Sequence, residues 1–191
     1  MAFSLPQTDH KKALFIIDVQ PDTFKGDKPF EVASKLPDFI QRFDYDAYVI
    51  AEYYAPPESM LADQHGHQIS REDAGETCPE VRQAVESKSA PAMTILKTTR
   101  SCFKCFDKES LFAFLDKNQI KEIHLAGFDA DDCVLATAYD ANDLGYLVFV
   151  IEELTHRWNG DQELVDRALA LFRRQNMTNH SALSKFHKND G

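Results

Sequence analysis

Cysteine is scarce in this chain. Cys78, Cys102, Cys105 and Cys133 are four thiols in 191 residues, too few and too scattered for the disulfide framework of a small secreted domain. Positive charge is also short: the formal net charge is -10 and the pI is near 5.1. A general nucleic-acid binder would normally present a basic face, so that class is excluded. No run approaches the roughly 18 apolar residues of a membrane-spanning helix. The opening "MAFSLPQTDHKK" lacks the apolar stretch of a secretory leader, and its basic pair follows the apolar residues instead of preceding them. Repeats, low-complexity tracts and linkers are missing too. These absences predict one domain over 1–191 in the reducing cytoplasm, with no nucleic-acid or membrane partner.

What is present is an ordinary globular composition, 43% hydrophobic and 27% charged, at a length that supports a sizeable core. Short apolar runs alternate with segments of helical period. "KKALFIIDVQ", "DAYVIAEYY", "AMTILKTT", "KEIHLAGF" and "GYLVFVIEE" each read as a strand covered on both faces. Helices are expected at about 31–43, 79–87, 108–118, 132–144 and 161–175; in the last, Leu164, Ala168, Leu171 and Phe172 form one apolar stripe. This rhythm predicts an α/β three-layer sandwich, a mostly parallel sheet flanked by helices. "NMTNHSALSK" reads as a sixth strand or a tail, and the polar stretch from 54 to 78 as a long functional loop.

Parallel sheets gather ligands at the carboxyl ends of their strands. Asp18, Lys97 and the 129–133 segment fall at three such ends. Cys133 opens the helix after the fourth strand, where the helix dipole, unpaired N–H groups and Lys97 would favour the thiolate. Asp18 can take the thiol proton. The backbone N–H groups of Asp129 and Cys133 could hold an oxyanion. Asp131 and Asp132 read as carboxylates stabilised by the helix start. Phe24, Tyr53, Tyr54 and Trp158 would make an aromatic, largely uncharged substrate pocket.

At these segments the sequence resembles the isochorismatase-like cysteine hydrolases. "ALFIIDVQPDTF" is similar to the family's first strand with its aspartate, "ILKTTRSCF" to its lysine segment, and "AGFDADDCVLATAYDANDLGY" to its nucleophile segment. The order and spacing also match, over about residues 11–175. The resemblance implies an Asp18–Lys97–Cys133 triad, a six-stranded Rossmann-like sheet and a cis peptide between Phe128 and Asp129. It also implies a homo-oligomer, dimer or tetramer, acting on a small molecule. The expected activity is metal-independent hydrolysis of a C–N amide-type bond through a thioester.

The departures from the family pattern are specific. Pro21 follows Gln20, Thr23 with Phe24 beside it replaces the usual phenylalanine, Ala130 replaces a common threonine, and Asp129 stands where a neutral residue is common. Nicotinamidases of the family carry an Asp-x-His metal pattern after strand two, where this chain has Tyr53, Tyr54 and Ala55. No metal and no cofactor are therefore expected, and nicotinamidase activity is disfavoured. Family members that hydrolyse isochorismate lack the cysteine, which disfavours that reaction as well. Two other readings stay open on the same fold: a binding protein without turnover, and a redox-responsive thiol protein pairing Cys133 with Cys102 or Cys105. His65 and His67 read as solvated loop residues or metal ligands.

Overall fold

The structure is a computed structural model that describes residues 3–65 and 68–181, with only the backbone of His65. Five strands form one sheet: β1 (Lys12–Ile17), β2 (Ala47–Tyr53), β3 (Ala92–Lys97), β4 (Glu122–Gly127) and β5 (Leu147–Thr155). Their spatial order is β3-β2-β1-β4-β5, and every pairing is parallel.

The period-2 alternation of β1 feeds two cores. Ala13, Phe15 and Ile17 point to one face, where they join Leu111, Leu115, Val134, Ala138, Val165 and Phe172. Those partners come from α6 (Lys108–Lys117), α7 (Cys133–Asp143) and α8 (Gln162–Arg174). Leu14 and Ile16 point to the other face and join Val32, Leu36, Phe39, Val81 and Val85. There the cover is α1 (Asp27–Ala33), α2 (Leu36–Arg42) and α5 (Pro79–Glu86). Burying both faces of a parallel sheet is the dominant favourable term in such a fold.

The structure differs from the sequence reading at four places. The expected helix over 31–43 is two helices, because Pro37 sits in the first turn of α2. Its ring would clash with the carbonyl four residues back, so the chain must restart. The polar stretch 54–78 holds two short helices, α3 (Met60–His65) and α4 (Arg71–Ala74), and Ala55 pairs with Ile69. β3 is an edge strand with an exposed beginning, not one covered on both faces. The sixth strand is reduced, among the described residues, to one parallel bridge between Val150 and Thr178. Residues 182–191 lie outside the described residues, and with them the rest of that expected strand.

Candidate active site

β1 is the central strand, and the chain winds to β2 and β3 on one side before crossing to β4 and β5 on the other. The crevice between the carboxyl ends of β1 and β4 is therefore the topological switch point, where α/β sheets bind ligands. Asp18 follows β1 there, with φ of 53° and its N–H bonded to Ala51 O at 2.9 Å. That left-handed geometry is uncommon outside glycine, although aspartate tolerates it better than most residues. Gly127 closes β4 with φ of +121°; a Cβ on it would meet Ile17 O at 2.0 Å. Only glycine lets β4 end this close to β1.

Lys97 ends β3, two strands away from Asp18, in register with Tyr53 on β2. Neighbouring strands lie about 4.8 Å apart, so only a long side chain bridges the gap. Its ammonium passes 4.8 Å from the Tyr53 ring centroid and donates to Asp18 Oδ2 at 2.7 Å, Cys133 Sγ at 3.2 Å and Thr99 O at 3.2 Å. The Lys97 side chain is fully buried. The structure thus brings the three residues singled out in sequence together, and Asp18 Oδ1 is left buried with no hydrogen-bond partner among the described residues.

Proton affinities in this cluster reflect burial first. Burial raises the Asp18 carboxyl above its ordinary value, against the opposing pull of Lys97. For Lys97, burial alone would lower the ammonium, but Asp18 and Cys133 outweigh it and hold the lysine charged above the usual range. Burial pushes the Cys133 thiol well above its ordinary value, and Lys97 only partly offsets this. The sequence suggests the opposite direction for that thiol, because a helix start and a nearby cation are visible in it and burial is not. These directions favour a neutral thiol beside the charged Lys97.

Cys133 is the first residue of α7, so its N–H is among those a helix leaves without an internal partner. The Phe128–Asp129 peptide is cis, in agreement with the resemblance. Asp132 is the N-cap residue of α7, but the Asp131 and Asp132 side chains are engaged by arginines. Asp132 makes no side-chain capping bond; it pairs with Arg100, and Asp131 Oδ2 accepts from Arg157 Nη1 at 2.6 Å.

The aromatic residues fall into two groups. Phe24 packs on Phe128 at 4.6 Å between ring centroids and is nearly buried, and Lys25 beside it lies 4.7 Å from the Trp158 ring centroid. Tyr53 and Tyr54 lie on the other side, lining a closed recess with Gln20, Glu52 and Gly75. Burial pushes the Tyr53 phenol up to about 12. Along α7, a groove of about 520 Å³ is lined by Met60, Thr98, Thr99, Arg100, Ser101 and Ala136, among others; Cys133 itself is not in its lining. None of the four aromatic residues lines that groove.

A family model described as "Isochorismatase domain" matches residues 12–180. The chain belongs to the isochorismatase domain family. No curated protein matches it by sequence. Among solved structures, a nicotinamidase from Bacillus subtilis shares 25% identity over 85% of this chain and 94% of that one, with a TM-score of 0.65. An N-carbamoylsarcosine amidase from Thermoplasma acidophilum shares 22% over 86% and 91%, with a TM-score of 0.68. An isochorismatase-like hydrolase from Alkaliphilus metalliredigens shares 21% over 88% and 92%, also at 0.68. The three-layer α/β fold is common to all of them.

Within this isochorismatase domain, sequence reasoning missed two site residues. Gln20 is buried and accepts the Tyr53 N–H at 2.7 Å, while its amide donates to Tyr53 O, Ala74 O and Gly75 O. It fixes the end of β2 under Lys97; a glutamine two residues past a strand-end aspartate was the available signal. Arg157 is the other, reaching Asp131 and lying 3.8 Å from Asp129 Oδ2. Cys102 and Cys105 are free thiols buried in the core, on a short 3-10 turn (Cys102–Lys104) and at its end. Burial pushes Cys102 up to about 12. His67 and the His65 side chain lie outside the described residues; among those described, no group of three or more His, Cys, Asp or Glu is placed to hold a metal.

Proposed function

We propose that the chain is a cysteine hydrolase that opens a C–N amide-type bond of a small molecule through a thioester acyl-enzyme. The observation that carries this reading is the Lys97 ammonium, buried and bonded to both Asp18 and Cys133. As the carbonyl carbon arrives, Sγ attacks it and its proton passes to the open oxygen of Asp18. The Asp129 and Cys133 N–H groups receive the oxyanion. Collapse breaks the C–N bond, and the Asp18 proton goes to the leaving nitrogen. A water then gives its proton to Asp18 and attacks the thioester. The acid product leaves, and the thiolate recovers the proton. Lys97 neighbours both groups between which the proton moves, so it stabilises the negative charge on either of them.

The donor set after β2 supports a reaction without a metal. Two phenol rings and a methyl group, Tyr53, Tyr54 and Ala55, replace the carboxylate and imidazole that a metal would need. Ala55 is buried in its bridge to Ile69. Of the four aromatic residues, Tyr53 lies against the Lys97 ammonium and Trp158 follows β5; as walls of the site these two would suit an uncharged substrate, with Phe24 and Tyr54 behind them. Exposed Met60, Phe106 and Leu144 support a homo-oligomer, dimer or tetramer, that covers them.

A panel of small amides, ureas and imides, assayed with the wild type and Cys133→Ala before and after dialysis against a chelator, tests the reading. Turnover is expected in the wild type alone, and it should survive the chelator. Turnover that persists in Cys133→Ala removes the thioester route; loss with the chelator, restored by a divalent metal, removes metal independence.

A further inference from the structure

Both carboxylate oxygens of Asp129 engage the segment that follows β5. Oδ1 accepts the Trp158 backbone N–H at 2.8 Å, and Oδ2 lies 3.8 Å from Arg157 Nη2. The main chain laces the same two segments together: Ala130 N–H donates to His156 O at 2.9 Å, and His156 N–H donates to Gly127 O at 3.1 Å. On its other side Trp158 meets Lys25, whose N–H donates to Trp158 O at 2.7 Å and whose ammonium lies over the indole. One residue therefore joins the turn assigned above to the oxyanion with the segment that carries Trp158.

Resting on the hydrolase reading above, we propose that Asp129 is a positioning residue. Its carboxylate fixes Trp158 against the turn that carries the oxyanion donors, and protonation of that carboxylate loosens the indole. A hydrogen bond to an ionised acceptor is roughly twice as strong as one between neutral groups, so the proton weakens this tie directly. It also ends the attraction to Arg157, whose Nη1 is already committed to Asp131.

The titration falls in the range where such a device acts. Burial pushes the Asp129 carboxyl up to about 7; the Trp158 N–H and Arg157 pull it down, and Asp131 and Asp18 add to the rise. Other charged or titratable groups around it are Asp132 and Cys133 on the turn that closes onto Asp129 O, His156 on the segment after β5 and Lys25 beyond the indole. Asp129 sits at the position whose side-chain charge is least welcome beside an oxyanion, and the structure gives that side chain a use elsewhere.

Trp158 is the sole tryptophan, so intrinsic fluorescence reads this tie without a substrate. The full chain, Asp129→Asn and Cys133→Ala are titrated between about pH 5.5 and 8.5, a span chosen to bracket the shifted carboxyl, with acrylamide quenching followed. In the wild type, quenching should rise on acidification with a midpoint within about one unit of 7, and Cys133→Ala should match it. In Asp129→Asn the transition should vanish, because the amide oxygen still accepts the Trp158 N–H but does not titrate. Where an amide is turned over, wild-type KM should rise below the same midpoint and that of Asp129→Asn should not. A wild type with flat quenching overturns the proposal even if the variant fails to fold. So does a midpoint retained in Asp129→Asn, which would pass the titration to a neighbour such as His156. An Asp129-dependent transition in a protein with no turnover supports the tie and counts against the hydrolase reading alone.

Discussion

In the mechanism proposed above, the proton moves between the buried thiol of Cys133 and the largely buried carboxyl of Asp18, both raised above their ordinary proton affinities. Lys97 is the only cation bonded to the pair among the described residues, so three side chains act as one unit. Asp18→Asn removes the acceptor while keeping the size of the group, and turnover should fall by about 10²–10⁴-fold, the usual range for one positioned acid–base group. Lys97→Ala should slow turnover comparably, because it leaves a buried carboxylate without its cation. Steady-state kinetics on the double variant should show far less than the product of the two losses. Near-normal turnover in Asp18→Asn would mean that another group activates the thiol. At this scale the sequence was informative about position and uninformative about environment. Asp18 and Lys97 were legible because apolar runs end at them, and Cys133 because a helical period opens on it after the fourth run. The upward shift of the thiol and the Asp129–Trp158 bond were not, since both arise from packing between segments far apart in the chain.

Elements place these residues through close approach. The end of β4 comes so near β1 that a methyl group at 127 would overlap Ile17 O, and the positive φ there adds backbone strain for any L side chain. Gly127→Ala should therefore cost about 2–4 kcal/mol, in the range of severe backbone substitutions. It should also displace the Phe128–Asp129 turn, so activity falls further than stability alone explains. Urea denaturation and activity measured on the same preparation check this; a variant as stable and active as the wild type contradicts the geometry described. All five strands were legible from their continuous apolar runs, and α5 to α8 from their spacing. The division of the expected first helix is intelligible from Pro37 in retrospect. α3 and α4 were not legible: each has six residues or fewer, too short for a periodic signal to rise above its polar surroundings.

For the whole molecule, the exposed apolar residues bear on assembly. Phe106 is 97% exposed and Met60 71%, and Met60 also lines the groove beside α7. Sedimentation at micromolar concentration should give a mass of two or four chains; a stable species of 21.7 kDa would remove the oligomer. The net charge of -10 opposes association at low salt, so assembly should strengthen as salt screens it. The central claim, however, concerns a single covalent bond. Intact-protein mass spectrometry after acid quenching, on wild type and Cys133→Ala incubated with a slowly hydrolysed amide, tests it most directly. The account predicts an adduct of the acyl group's mass on the wild type, mapped to Cys133 by digestion and absent from Cys133→Ala. Turnover with no adduct on Cys133, or an acyl group mapped to Cys78, Cys102 or Cys105, would contradict it.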